Sequence, residues 1–253
     1  MVSYQRSHLK VAELFFDEPA GRVAADIVRY HHRSTPVAGG RADQRHTLWI
    51  DLTAGPEAIL ADMNADTRRK IRGAAKDGAR YEFQSSSEPV WLEEFCLFYD
   101  RFARTKGLPP ANRARLGAMV RQGALDLSRM VGRDGEVLVW HAHLLGGDRA
   151  RLLHSASIFR EMDKDTANAI GRVNRLHHWM DIERFRNAGF TVYDFGGWYA
   201  GHDDVAKLRI NDFKRGFGGE IATQYHADCA GSWKGAAVLG LRALFRTLRG
   251  KQD

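Results

Sequence analysis

The sequence predicts an α/β chain of the α+β kind, with a mixed, mostly antiparallel central sheet flanked by helices. Three observations carry that expectation. Asp134-Gly135 and the run Gly146-Gly147-Asp148 each separate two strand-like runs, and turn residues of this kind join antiparallel neighbours in a hairpin. From residue 79 the apolar periodicities succeed one another as strand, two helices, three strands, helix, strand, helix, strand. The chain is also large enough to bury a substantial core, with 253 residues, 44% of them hydrophobic and 10% aromatic.

Taken in order, the first 40 residues are poorly patterned, whereas HTLWIDL (46–52) has the β-branched and aromatic content of a strand. Thr53 and Pro56 open a short helical segment, and NADTRRKIRGAAKDG reads as a second helix, capped at Asn64 or Asp66 and ended by Gly78. ARYEF (79–83) is another strand. WLEEFCLFYDRFARTKG and ANRARLGAMVRQG are helices broken by Gly107, Pro109 and Pro110. LSRMVGR, EVLVWHAHLLG and RARLLHSASIF form the meander. A long helix at about 167–188 ends at Gly189, and FTVYDF is a short strand. The acidic-basic segment from Asp203 to Arg215 is a helix, and GEIATQYHA is the last strand. The expected organisation is an N-terminal remnant segment (1–52), a main domain (53–228) and a basic amphipathic C-terminal helix (229–253).

Thirty-eight Lys and Arg against 31 Asp and Glu give a net charge of +7, which favours anionic partners such as nucleic acid, phosphorylated substrates or an acidic membrane, or simply a basic surface. Cys96 and Cys229 are too few for a disulfide framework and stand in no metal-binding spacing. The start lacks a signal-like apolar run and no 18-residue apolar stretch occurs, so a cytoplasmic chain is expected. His141 and His143 share a strand face and His177-His178 adjoin on a helix, yet no Cys, Asp or Glu stands at a ligand spacing beside them. No metal is expected, and these histidines read as structural.

TRRKIRGAAKDG, HHWMDIERFRNAGFTVYDFGGW and FKRGFGGE give the chain a distinctive pair of glycine motifs, Y-D-F-G-G and F-K-x-x-F-G-G, about twenty residues apart. In these stretches, between about residues 46 and 226, it resembles the Fem-type branch of the Gcn5-related N-acetyltransferase superfamily. That branch includes peptidoglycan bridge-forming ligases, which take an amino acid from aminoacyl-tRNA, and transferases of antibiotic and polysaccharide pathways. The resemblance implies a splayed pair of strands that admits an acyl donor, and an aminoacyl- or acyltransferase acting on an amine in cell-envelope, polysaccharide or secondary-metabolite synthesis. It implies no tightly bound cofactor, aminoacyl-tRNA as donor, and an acceptor that can be lipid-linked, on the inner face of the membrane. The bridge-forming ligases carry two tandem halves, and residues 1–52 leave room only for a remnant of the first.

Acyl transfer to an amine needs a neutral amine, support for the tetrahedral oxyanion and grip on a polyanionic donor. On this fold the backbone amides of RLLHSASI face the reacting carbonyl, and Tyr193-Asp194 lies opposite. Asp194 orients the amine or takes its proton, or alternatively caps the following turn. Gly196 and Gly197 permit close backbone approach to the donor. Lys214 matches the lysine of the F-K motif, which implies a hold on donor phosphate or on developing negative charge; with Arg215 it equally suits a helix C-terminus. Arg68, Arg72 and Lys76, each four apart, line one helix face as a phosphate track or a solvated surface. Arg172 and Arg175, at the start of the long helix, add donor contacts. NAIGRVN lacks the Q/R-x-x-G-x-G/A pattern of coenzyme A binding, which demotes that donor. Tyr193, Trp198, His154 and His178 are expected around the acceptor.

Two alternatives stay open, an acyl-coenzyme A or acyl-carrier-protein dependent N-acyltransferase and a non-catalytic RNA- or membrane-binding module. In the tail, Trp233, Ala237, Leu241, Leu244, Phe245 and Leu248 fall within about a third of a helical turn, with Arg242, Arg246 and Arg249 on the other side. Such a helix docks on an anionic membrane or packs on the protein's own core.

Overall fold

The computed structural model describes residues 1–249 except 20, 22, 39, 41, 86–88 and 158–162. The side chains at 85, 89 and 245–249 also lie outside the described residues, and with them the expected contributions of Phe245, Arg246, Leu248 and Arg249. Ile158 and Phe159, expected to end the third meander run, lie outside as well.

Along the chain run β1 (Val2–Arg6), β2 (Leu9–Phe15), β3 (Ile27–Arg33), β4 (Asp43–Asp51), α1 (Pro56–Asp62), α2 (Ala65–Lys76) and β5 (Arg80–Ser85). Then come α3 (Pro89–Lys106), α4 (Arg113–Arg121), β6 (Leu125–Val131), β7 (Val137–Gly146) and β8 (Arg149–Ser157). The chain continues with α5 (Lys164–Asn187), β9 (Val192–Trp198), α6 (Val205–Arg215), β10 (Glu220–Ala230) and α7 (Trp233–Arg249). From β5 onward this is the order read from the sequence.

Two compact units result, residues 1–45 with 223–253, and residues 46–222. This division differs from the expected one, because the first 45 residues join the end of the chain instead of standing as a separate segment. In the first unit β1 and β2 pair antiparallel, β2 and β3 parallel, and β3 and β10 antiparallel. Its core is small, built on Ala12, Leu14, Ala25 and Val28. These strands escaped the sequence reading for a local reason. The β1/β2 pairing runs from Val2↔Glu13 to Arg6↔Leu9, so the loop is only Ser7-His8, and its left-handed residue is Ser7 (φ 54°) where a glycine would have signalled a hairpin.

In the second unit the strand order is β4-β9-β8-β7-β6-β5. All neighbours are antiparallel except β8 and β9, so the sheet is mixed and mostly antiparallel, as expected. Gly135 (φ 81°) and Gly147 (φ 58°) make the turns of the meander. One face of the sheet receives α5, whose Ile170, Val173, Leu176, Ile182 and Phe185 form a continuous core with Met130, Val139, Ala150, Tyr193 and Phe195. Because successive side chains on a strand alternate faces, Trp140 and His154 point the other way and meet Phe95 and Tyr99 of α3.

The parallel pair is short. Arg149↔Val192, Ala150↔Tyr193 and Arg151↔Asp194 are in register; past them, residues 152–157 pair with β7, and Gly197 and Trp198 with β4. This parting of β8 and β9 is the expected splay. Past α6 the chain must turn back sharply beneath β4. Gly219 has φ +81°, a Cβ there would stand 2.1 Å from the carbonyl oxygen of Trp49, and its N–H donates to Asp62 Oδ2 at 2.6 Å. Gly219→Ala is therefore expected to destabilise the protein by at least about 1–2 kcal/mol from the left-handed backbone alone, with the clash adding to it. Denaturant unfolding of the variant measures this, and a midpoint equal to that of the parent contradicts it.

Candidate active site

Arg151 and Asp194 form the last register pair before the strands part, so their side chains emerge on the same face at the fork. Both are buried, and Arg151 Nη1 lies 2.5 Å from Asp194 Oδ2. Thr47 of β4 donates its hydroxyl to Asp194 Oδ1, and Gly196 N–H donates to the same oxygen at 2.8 Å. Arg151 Nη1 also reaches Thr47 Oγ1 at 3.2 Å. The carboxylate thus meets a guanidinium, a hydroxyl and a backbone amide, which is what a buried charge requires. Of the roles expected for Asp194, the structure displays the turn-capping one. With its donors in place the carboxylate organises the site and is not a free base for an incoming amine.

Helix α6 delivers the second charge. Asp204 caps its start by accepting from Lys207 N–H, and Asn211 and Lys214, three residues apart, share its buried face. Asn211 clasps the chain after β9, accepting from Tyr199 N–H at 3.1 Å and donating to Tyr199 O at 2.7 Å. Lys214 Nζ donates to the carbonyl of Gly197 at 2.5 Å. Burial lowers the Lys214 ammonium to about 8, the nearby Arg151 charge works in the same direction, and Asp194 opposes them. Phe213 and Phe217, which flank the lysine in FKRGFGG, pack on His178, and Phe217 also meets Phe195. The Gly196 backbone (φ +78°) passes so close to β8 that a Cβ would sit 3.1 Å from Leu152 O, while Gly197 is exposed with open space where a Cβ would stand.

Other expected site residues fall elsewhere. Tyr193 and His178 are buried in the core, where the Tyr193 hydroxyl lies 2.9 Å from His178 Nδ1 and 3.2 Å from His143 Nε2. Burial holds His178 well below the usual histidine value and His143 at about 3, so both rings are neutral struts. Neither Tyr193 nor His178 can touch an acceptor. His154 packs on Tyr99 and Phe95 and is lowered to about 4 by burial, with the Arg115 charge adding to it. Trp198 remains within reach of ligand, half-buried with the Arg215 guanidinium 4.9 Å from its ring centre.

Arg68 Nη1 donates to the carbonyls of Leu60, Ala61 and Met63, so it caps the end of α1 and offers little to a phosphate track. Arg72 is exposed. Helix α5 starts at Lys164, earlier than expected, and Asp163 caps it by accepting from the amides of Asp165 and Thr166. Arg172 and Arg175 consequently sit about two turns or more inside it. Arg172 pairs with Asp77 at 3.3 Å, and Arg175 donates to Gly171 O and stacks 4.7 Å from the Phe213 ring centre.

Sequence reasoning missed Arg151, Thr47 and Asn211. RARLLHSAS carries Arg149, His154 and two serines besides Arg151, so nothing local singled Arg151 out. It also missed a proximity. Among the described residues, one ligand-type atom each of His141, His177 and Asp181 comes within 4.8 Å of the others. The two imidazoles, however, lie face to face, centroids 3.7 Å apart and planes at 3°. Ring-nitrogen lone pairs lie in the ring plane, so two stacked rings cannot both aim at one ion. Asp181 instead accepts from Tyr81 at 2.7 Å and Ser128 at 2.8 Å and lies 2.6 Å from His141 Nδ1, a hydrogen-bonded knot inside the core.

A mixed sheet whose parallel pair parts after three register positions, with a helix crossing before the second strand, is the fold that the resemblance to the Gcn5-related acetyltransferases led us to expect. Solved structures share it. FemX is 14% identical in sequence with a TM-score of 0.59, the match covering 72% of this chain and 61% of FemX. The C-terminal domain of a putative lysylphosphatidylglycerol synthetase from Agrobacterium fabrum is 15% identical, with a TM-score of 0.55 over 86% of this chain and 72% of that one. The structure of L-PGS from Bacillus licheniformis matches at 12% identity and a TM-score of 0.53, over 85% and 72% of the two chains. These likenesses are of fold. No protein-family model matches the chain, and no curated protein matches it.

Two stability measurements probe the site. Arg151→Met leaves the Asp194 charge buried without its partner and is expected to cost about 3–5 kcal/mol, most of it recovered in Arg151→Met/Asp194→Asn; a small loss in the single variant rules the pair out as the clasp. For Lys214, the folded value of about 8 lies below the ordinary 10.5, so between those values the unfolded chain binds more protons. The parent should therefore gain stability relative to Lys214→Met as pH rises from about 8 to about 10.5, with a flat difference below 8. A difference independent of pH across that window excludes a depressed lysine.

Proposed function

We propose that this protein is an acyltransferase that moves an aminoacyl group from aminoacyl-tRNA to an amine acceptor of the cell envelope, on the cytoplasmic side. The observation that carries the reading is the Lys214 ammonium, buried and hydrogen-bonded to the Gly197 carbonyl beside the fork of β8 and β9. The neutral acceptor amine attacks the ester carbonyl carbon, forming a C–N bond and a tetrahedral oxyanion. Collapse breaks the ester C–O bond, the released hydroxyl oxygen takes a proton, and the amine gives its proton to solvent. In this reading, amides of β8 beyond the fork, no longer engaged by β9, donate to the oxyanion, and Lys214 adds positive charge in a dry site where it counts most. No tightly bound cofactor is needed, because the donor arrives activated.

Two observations favour aminoacyl-tRNA over coenzyme A. The first amides of α5, where a pyrophosphate would bind, are occupied by the Asp163 carboxylate, which also places negative charge there. The net charge of +7 suits a long polyanionic donor. The fold likeness to FemX and to proteins named for lysylphosphatidylglycerol supports an envelope acceptor, soluble or lipid-linked.

The test is a donor panel of aminoacyl-tRNA, acyl-coenzyme A and acyl-carrier protein with a radiolabelled group and an amine acceptor. Turnover is expected with aminoacyl-tRNA, falling about 10²–10³-fold in Lys214→Met with the fold intact. Since Lys214 is charged below about 8, turnover of the parent should also decline as pH rises through that value. Unchanged turnover in well-folded Lys214→Met overturns the role of the lysine, and turnover with acyl-coenzyme A alone overturns the donor.

A further inference from the structure

We propose that the unit formed by residues 1–45 and 223–253 docks on an anionic lipid surface through the outward side of α7. The helix is attached to its own unit by its small and polar side. Ser232 Oγ donates to Asp26 Oδ1 at 2.6 Å, and Gly231 N–H donates to Asp26 O at 2.9 Å. A Cβ on Gly235 would lie 1.8 Å from Asp26 O, so glycine lets the helix rest directly on that backbone. Two turns further on, Arg242 lies 4.0 Å from Asp228. Gly235 and Arg242, with half-buried Val238 and Leu239 between them, mark the attached side.

The opposite side is apolar and bare. Trp233 is 78% exposed, Leu241 58% and Leu244 57%, and at about 100° per residue these three and Ala237 fall within an arc of about 80°. A helix that completes its own domain turns such a stripe inward. This one turns it outward, which overturns the expectation of a tail covering the protein's own core as far as the described side chains go.

Charge selects the occupant. Residues 229–252 contain Lys234, Arg242, Arg246, Arg249 and Lys251, and no Asp or Glu. An exposed tryptophan and leucines in a segment with only cations match the acyl boundary and the headgroups of an anionic membrane at once. No helix among the described residues is long and apolar enough to cross a membrane, so α7 lies in the interface. The inference is independent of the transfer reading.

The experiment uses the full chain with vesicles of phosphatidylglycerol and phosphatidylcholine in equal parts, and with phosphatidylcholine alone. Sedimentation with the anionic vesicles is expected, weakening with salt, together with a blue shift of tryptophan emission that Trp233→Phe abolishes. Leu241→Ser/Leu244→Ser should weaken binding about tenfold or more at an unchanged melting temperature, since both side chains are already in water. Absence of sedimentation, or binding indifferent to Leu241→Ser/Leu244→Ser, overturns the proposal. So does a concentration-dependent dimer that the double variant dissociates, because the stripe then serves a second copy of the chain.

Discussion

The buried Arg151–Asp194 pair is the constraint from which the rest of the site follows. It lies on the last rung between β8 and β9, and the two strands part just beyond it. A buried charge tolerates no missing partner, so each donor around the carboxylate is also a structural instruction. Thr47 ties in β4, Gly196 N–H sets the turn, and the guanidinium holds β8. The fork is open because its base is locked.

Lys214 depends on that lock in a second way. Desolvation disfavours its charge, and Arg151 disfavours it further, while Asp194 and the Gly197 carbonyl favour a cation there. The aromatic belt of Phe195, Phe213, Phe217 and His178 supplies the rigidity. Neutral His178 serves as one more ring in that belt. Its neighbour Tyr193 is hydrogen-bonded to it, so the strand carrying Asp194 is anchored on its opposite face as well.

What the sequence reveals depends on how local the determining physics is. The meander was legible because Asp-Gly and Gly-Gly turns act over a few residues, and α2 because Asn64 accepts from Thr67 N–H at 2.7 Å three residues on. The splay and Lys214 came from motif resemblance, but the carbonyl partner of the lysine did not. Arg151 looked like any surface arginine, since its meaning lies in Asp194, 43 positions away. Tyr193, close to the Gly196-Gly197 pair, and His178 look like ligand residues. Their burial follows from α5 crossing the sheet, which a linear reading cannot weigh. Arg68 looked like one of a row of cations until the three carbonyls of α1 came within its reach.

The composition of the first unit bears on how the chain comes off the ribosome. Residues 46–222 are continuous, so that unit can collapse as soon as its own residues have emerged. β3 is made early, yet it must wait for β10, with Ile27 pairing to Ala230. Closing so long a loop is entropically slow unless the intervening chain is already compact, and the folded middle unit shortens the effective search. Until then β1 to β3 carry apolar strands with an unpaired edge, a window in which aggregation competes with folding. The vulnerable stage is thus the delay between synthesis of β1–β3 and synthesis of β10.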